Sequence, residues 1–262
     1  MKRIEIASPL DGWVMPLAEV CDEAFAGGLV GDGVAIEPLA DTLFAPCDGE
    51  VVAGAMAHHA LTLRLDGGAE ILMHVGIDTV QLHGHGFERL VAPGTQVRRG
   101  DALLRFDLDH IARNARSAAT PVLLSAGGRI LRRVENQRVA AGILLFEIEV
   151  DADVAPAASE FSSGPEHIER ARFRIPFDHG LHARPAAQLV AALRGLRAEV
   201  LLSANGRQAD ARSTTALMGL GTRLGDRVEA EIRGEDAADA LAALTTLLAP
   251  VADEWPAPAR LP

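Results

Sequence analysis

Nine histidines stand in a chain of 262 residues that has no tyrosine, so imidazole is the main side chain able to hold or pass a group near neutral pH. The sharpest setting is Gly180-Leu181-His182-Ala183-Arg184-Pro185-Ala186. Helical spacing begins directly after His182, which puts this histidine at a predicted N-cap. Free backbone N–H groups and the positive end of the helix dipole favour an anion there. Arg184 reaches the same anion as a planar, multi-donor cation. An imidazole nucleophile beside an anion-binding helix start suits transient phosphorylation on nitrogen. On spacing alone, a histidine that merely caps a helix fits equally well.

His74 lies in the apolar run Ile71-Leu72-Met73-His74-Val75, followed by Gly76. Apolar walls exclude the water that would hydrolyse a group carried on nitrogen. Exposed Leu, Met and Val side chains at this place would also form a docking patch. Taken alone, a histidine in an apolar strand is more often a satisfied core group. His83 and His85 form an HxH in Leu82-His83-Gly84-His85-Gly86-Phe87. Zinc is one reading of that pair, and a solvated loop is the preferred one. A zinc hydrolase using His58, His59 and His74 lacks an activating acid at metalloprotease spacing.

Composition removes several other chemistries. Lys2 is the one lysine among 25 basic residues; the rest are arginine. That excludes a biotin or lipoyl tether on a hairpin, a Schiff-base lysine and a Walker-A phosphate loop. Cys21 and Cys47 are too few for a disulfide framework and lack CxxC spacing. Acidic residues number 36, giving a net charge of −11, which argues against nucleic acid or an anionic membrane as main partner. The start MKRIEIASPLDG, broken by Glu5 and Asp11, does not read as a signal peptide. No apolar run reaches the roughly 18 residues of a membrane span. A cytoplasmic, soluble chain with no direct membrane insertion is the expectation.

The elements that must position these histidines fall into two domains. Residues 1–150 hold short, Gly-bounded apolar runs such as Gly49–Val52, Ala60–Leu65, Ile71–Met73 and Ala102–Phe106. This spacing predicts an all-β sandwich or barrel. Ser8-Pro9-Leu10-Asp11-Gly12-Trp13-Val14 is echoed by Ala45-Pro46-Cys47-Asp48-Gly49-Glu50-Val51, each a turn entering a strand. Residues 151–167 are rich in Pro, Ser, Gly, Ala and acids, and read as a flexible linker. Residues 168–250 predict an open-faced α/β sandwich of order βαββαβα with an antiparallel sheet. Its pieces are strands at 172–177, 198–203 and 227–233, and helices at 183–196, 213–219 and 235–249. Asn205-Gly206 is a type I′ hairpin signal into one further strand. Residues 251–262 are a Pro-rich tail or the stub of a linker to another domain.

With these motifs in place, residues of about 170–250 resemble HPr, the histidine phosphocarrier of the bacterial phosphotransferase sugar-uptake system. The likeness rests on GLHARPAAQLV, on Ser213 in ARSTTALMGLG, and on the element order. It implies that His182 is phosphorylated and that Arg184 steadies the phosphoryl group. Ser213 matches a regulatory serine of some HPr proteins, with a plain helix N-cap as the alternative. Residues of about 7–126 resemble the glucose-type enzyme IIA of the same system. The motifs are Gly31–Ile36, Ala45-Pro46-x-Asp48-Gly49, His59-Ala60, Ile71–Val80 and Ala115–Pro121. This resemblance implies that His74 takes the phosphoryl group and that His59, on a neighbouring strand, is its proton and hydrogen-bond partner. Asp78 and Asp32 match carboxylates at the rim. Ala57 stands where family members often carry a hydroxyl residue, with His58 inserted after it. Leu72 and Val75 stand where aromatics commonly flank the active histidine.

The combined resemblance is to a fused enzyme IIA–HPr protein, the front part of a multiphosphoryl transfer protein. It implies a relay from phosphoenolpyruvate through enzyme I to His182, then His74, then a cysteine of a IIB domain in a IIB/IIC sugar permease. Each step exchanges phosphoryl between nucleophiles, so no metal or organic cofactor is expected. Without enzyme I the chain is not expected to use phosphoenolpyruvate. Glucose or N-acetylglucosamine is the sugar class implied. The rival reading is a regulatory binding module whose phosphorylation state controls transporters or metabolic enzymes. A linker of about 17 residues would span near 23 Å r.m.s., stretching to roughly 55 Å. That reach predicts hand-over within one chain at an effective concentration on the order of millimolar.

Overall fold

The computed structural model describes residues 1–52, 58–150 and 168–251, and the chain divides into two compact units, Met1–Glu160 and Phe161–Pro262. The expected linker 151–167, Ala57 and the Pro-rich end from 252 lie outside the described residues. Among the described residues no helix is long and apolar enough to cross a membrane.

The first unit is built almost wholly of antiparallel strands. One eight-stranded sheet runs, in spatial order, Gln137–Val139, Gly12–Pro16, Asp32–Pro38, Thr120–Ala126, Glu70–His74, Ala60–Arg64, Gly49–Val51 and Gln96–Val97. Lys2–Ala7, Leu144–Val150 and Arg129–Arg133 form a second sheet, and Thr42–Phe44, Ala102–Phe106 and Phe87–Arg89 a third. All three contribute to one largely aliphatic core that includes Ile6, Ile36, Leu43, Ile71, Leu104 and the aromatic Phe146. Both echoed Pro-x-Asp-Gly turns do lead into strands, at Gly12 and at Gly49.

Glu70–His74 sits near the middle of the large sheet, and all five of its residues are buried. This explains why Ile71-Leu72-Met73 reads as a continuous apolar run: both faces of the strand are covered. It also corrects one expectation. Leu72, Met73 and Val75 have no exposed surface, so they form no docking patch. A short helix, Glu23–Ala26, and a longer one, Leu108–Asn114, complete the surroundings of the strand's C-terminal end.

The second unit has the expected order βαββαβα. Strands Arg207–Asp210, Ala198–Ala204, Arg227–Gly234 and Ile168–Arg174 form an antiparallel sheet in that spatial order. Helices Ala183–Ala192, Thr214–Gly219 and Ala237–Leu247 supply its apolar cover. Val228, Ala230 and Ile232 point into that core, while Glu229 and Glu231 on the other face pair with Arg172 at 3.1 Å and Arg170 at 3.0 Å. The first strand begins four residues before its expected start and stops at Arg174, because Pro176 cannot extend the ladder. The first helix ends at Ala192 rather than Leu196, ahead of Gly195 at φ +87°. Asn205 and Gly206 both have positive φ, as the type I′ hairpin requires. A two-residue edge strand, Ala249–Pro250, pairs with Phe173 and Arg174 and was not foreseen.

Ile71 is fully buried in the core of the first unit. Replacing it by alanine is expected to lower that domain's stability by about 2–5 kcal/mol in urea unfolding. A loss below about 1 kcal/mol contradicts the packing described.

Candidate functional site

His74 is the last residue of the central strand and is 6% exposed. The neighbouring strand begins at Ala60, directly opposite His74, and the hairpin between them thereby brings His59 alongside. The Val75 N–H donates to the His59 carbonyl at 2.8 Å, tying the two backbones together. The two imidazoles meet edge-on, with centroids 4.7 Å apart and planes at 69°. His59 is 4% exposed and lies 6.1 Å from the ring of Phe87. The pairing expected for neighbouring strands is therefore present in the geometry.

The tautomer of His74 follows from one contact. Its Nδ1 lies 2.8 Å from the carbonyl oxygen of Gly76. A carbonyl only accepts, so Nδ1 carries the proton and Nε2 is left with its lone pair. The turn that aims this carbonyl needs glycine. Gly76 has φ +73°, and a Cβ there would fall 2.5 Å from Thr79 Cγ2. The Thr79 hydroxyl donates to the Val75 carbonyl at 2.9 Å and closes the turn. Burial holds the pKa of His74 below the ordinary imidazole value. The Gly76 carbonyl and the charges of Asp22 and Asp78 oppose that effect without overturning it.

Asp78 stands in the left-handed region at φ +59°, at the head of a short 3-10 turn, Thr79–Leu82. Arg133 grips the carboxylate of Asp32, expected at the rim, with two contacts at 2.6 and 2.7 Å, and Asp32 is not among the charges acting on His74. Asp22 is the second carboxylate acting on His74, and sequence reasoning missed it. Its Oδ1 accepts from the N–H groups of Ala24 and Phe25 and so caps the one-turn helix Glu23–Ala26. That helix delivers Phe25, whose ring centroid lies 5.1 Å from that of His74. The aromatic missing from the flanks of His74 in sequence thus arrives from a different element. An Asp preceding Glu-Ala-Phe is an N-cap signal, but one helical turn is too short to show periodicity.

The remaining histidines of this unit lie at the surface. His83 and His85 are exposed. The ring of His58 covers Gly84, and that of His110 covers Gly86. Among the described residues no group of three or more His, Cys, Asp or Glu side chains is placed to hold a metal ion.

In the second unit His182 is the N-cap residue of Ala183–Ala192, half-buried, with no side-chain capping bond. Arg184 and Pro185 follow within the first turn of that helix. Ser213 caps the helix Thr214–Gly219, its hydroxyl accepting from the Ala216 N–H at 3.1 Å. The helices begun by His182 and Ser213 pack against each other. His179, which the sequence reading did not single out, lies 6.2 Å from His182 between ring centroids.

Comparison with known proteins agrees with both halves. The family profile described as "phosphoenolpyruvate-dependent sugar phosphotransferase system, EIIA 1" matches residues 4–129, and that described as "PTS HPr component phosphorylation site" matches 169–249. The mannose-specific EIIBCA component of Corynebacterium glutamicum is 48% identical over 122 residues, covering 47% of this chain and 18% of that protein. The N-acetylglucosamine-specific EIICBA component of Escherichia coli is 43% identical over 149 residues, covering 55% of this chain and 23% of that protein. The chain thus spans less than a quarter of the length of these relatives. The solved glucose permease IIA from Mycoplasma capricolum is 35% identical with a TM-score of 0.53, covering 56% of this chain and 96% of that one. Over residues 4–129 the chain belongs to the sugar phosphotransferase system EIIA family, and it carries an HPr component behind that domain, at 169–249.

Proposed function

We propose that this chain is a two-site histidine phosphocarrier that relays a phosphoryl group from enzyme I to His182, then to His74, then to the IIB domain of a IIB/IIC sugar permease, in the cytoplasm. The domains that carry the two sites are 1–150 and 168–250, joined by a linker at 151–167. Glucose and N-acetylglucosamine are the sugar classes the reading favours, since relatives of both classes share the first domain.

The observation that carries the reading is the bare Nε2 of His74, held by the Nδ1–H bond to Gly76 and set edge-on to His59. A neutral imidazole attacks phosphorus through Nε2 while the donor's N–P bond breaks in line with it. Nδ1 keeps its proton throughout, so the ring becomes cationic while it carries the phosphoryl group. The Gly76 carbonyl and the carboxylates of Asp22 and Asp78 favour that positive ring. Burial of His74 and His59 keeps out the water that would hydrolyse the N–P bond. His59 supplies a hydrogen bond to the phosphoryl oxygens. At the second site Arg184 performs that role for His182.

Incubation with enzyme I and labelled phosphoenolpyruvate tests the order. His74→Ala is expected still to be labelled, with all of its label on His182. His182→Ala is expected to leave both sites unlabelled, and wild-type chain without enzyme I should take up no label. Direct labelling of His74 in the His182→Ala chain refutes the order proposed.

The lowered pKa of His74 gives a second expectation. In the folded chain the ring stays neutral where an unfolded histidine takes up a proton, below about pH 6.5. Stability of the first domain therefore falls as pH drops from that value towards the folded pKa, and the nucleophile is intact across the neutral range. An NMR titration of His74 should give a midpoint below 6.5, and a midpoint above it contradicts the site as described.

A further inference from the structure

The short strand Phe87–Arg89 of the first domain lies against the start of the strand that follows His59. It pairs with Leu104, Arg105 and Phe106 in the third sheet. Strand alternation puts Phe87 and Arg89 on one face and Glu88 on the other. Burial follows that pattern: Phe87 and Arg89 are half-buried, while Glu88 is exposed and lies 3.8 Å from Arg105. The inner face meets the entry of Ala60–Arg64 at two points. Phe87 sets its ring 6.1 Å from that of His59, and Nη2 of Arg89 donates to the Ala60 carbonyl at 3.2 Å. That carbonyl belongs to a row. The His59 carbonyl accepts from Val75, so the Ala60 carbonyl points to the opposite edge of its strand. On that edge the Thr62 carbonyl accepts from the Val52 N–H at 2.9 Å. The next acceptor in the row is Ala60, and there the donor is a side chain from another sheet. Ala60 is buried, and a buried carbonyl needs a donor.

From this geometry we infer that Arg89 is a positioning residue for His59: its guanidinium holds the backbone at Ala60, and so keeps the His59 ring edge-on to His74. The inference rests on the carrier reading given above. Arg89 acts through Ala60 and His59, not by touching the phosphoryl group. Ala60 stands directly opposite His74 in the ladder, so a shift at Ala60 moves His59 relative to the reacting ring. A displacement of about 1 Å is enough to cost up to a hundredfold in rate. Arginine suits the task because its planar fork loses little freedom per hydrogen bond formed. Burial draws its pKa below the ordinary arginine value, yet a guanidinium stays protonated at neutral pH, so the donor is always present.

The full chain, charged by enzyme I and labelled phosphoenolpyruvate, supplies the test, with label followed in time on each histidine. Arg89→Met keeps the apolar bulk of the stem but has no N–H. It is expected to slow the arrival of label on His74 about tenfold and to leave labelling of His182 unchanged. Arg89→Gln, neutral but still a donor, should recover most of that rate. In a His59→Ala background Arg89→Met should slow transfer no further, because its effect passes through His59. A purely structural role would add its own loss there. Full additivity, an unchanged rate in Arg89→Met, or recovery by Arg89→Lys but not by Arg89→Gln overturns the inference. Should Arg89→Met fail to fold, Arg89→Gln decides alone: a rate near that of the wild type supports the hydrogen bond, and a tenfold loss overturns it. No label on wild-type His74 is a different failure: it overturns the carrier reading, and this inference with it.

Discussion

One hydrogen bond, from Nδ1 of His74 to the Gly76 carbonyl, sets what the first domain can do. An imidazole has two chemically similar nitrogens, and the site becomes a nucleophile only when one of them is committed as a donor. The rest of the fold secures that commitment. A central strand fixes the position of His74, a left-handed glycine turns the carbonyl back towards it, and Thr79 bolts the turn to Val75. Behind the turn, Ile77 and Ser117 share a backbone bond at 2.8 Å, which anchors the wall on the far side. None of these contacts touches the reacting nitrogen. Each of them decides which nitrogen it is.

Electrostatics complete the design by opposing burial without cancelling it. A buried imidazole resists protonation, so the resting ring is neutral and nucleophilic. In the proposed relay the ring becomes positive once it carries a phosphoryl group, and the same pocket must tolerate that charge. Asp22 and Asp78 do so from two unrelated places, a helix cap and a left-handed turn. Both carboxylates are positioned by backbone geometry rather than by long side chains. The second domain solves the problem differently. His182 stands half-exposed at a helix start, where on the proposed reading backbone N–H groups and Arg184 would favour the anion instead of the ring.

The sequence carried most of the architecture because its signals were local. Helical spacing after His182, the Asn205-Gly206 hairpin and the alternation of Arg227–Gly234 each reflect a neighbour-to-neighbour constraint, and each is found where expected. The His59–His74 pair was legible for the same reason, since a hairpin joins the two strands. What escaped depended on contacts far apart in sequence. Asp22 and Phe25 reach His74 only because a one-turn helix folds over the sheet. The grip of Arg133 on Asp32 escaped because the two lie about a hundred residues apart. The exposure of Leu72 and Val75 was misjudged because local sequence does not reveal that both faces of a strand are covered. His179 went unnoticed because Gly180, not periodicity, brings it to His182.

The strand that ends at His74 is hydrogen-bonded on both sides, to Thr120–Ala126 and to Ala60–Arg64. Such a strand cannot slide or swing outward without breaking two ladders at once. The acceptor nitrogen is therefore a fixed socket, and all the travel in any exchange belongs to the incoming group. With 6% of His74 exposed, a donor in the proposed relay would have to present its phosphorus on a protruding tip. Flat or recessed donors would then be turned away by shape before any chemistry begins. Selectivity of this kind costs the domain no dedicated recognition loop, because the immobility of the sheet already supplies it.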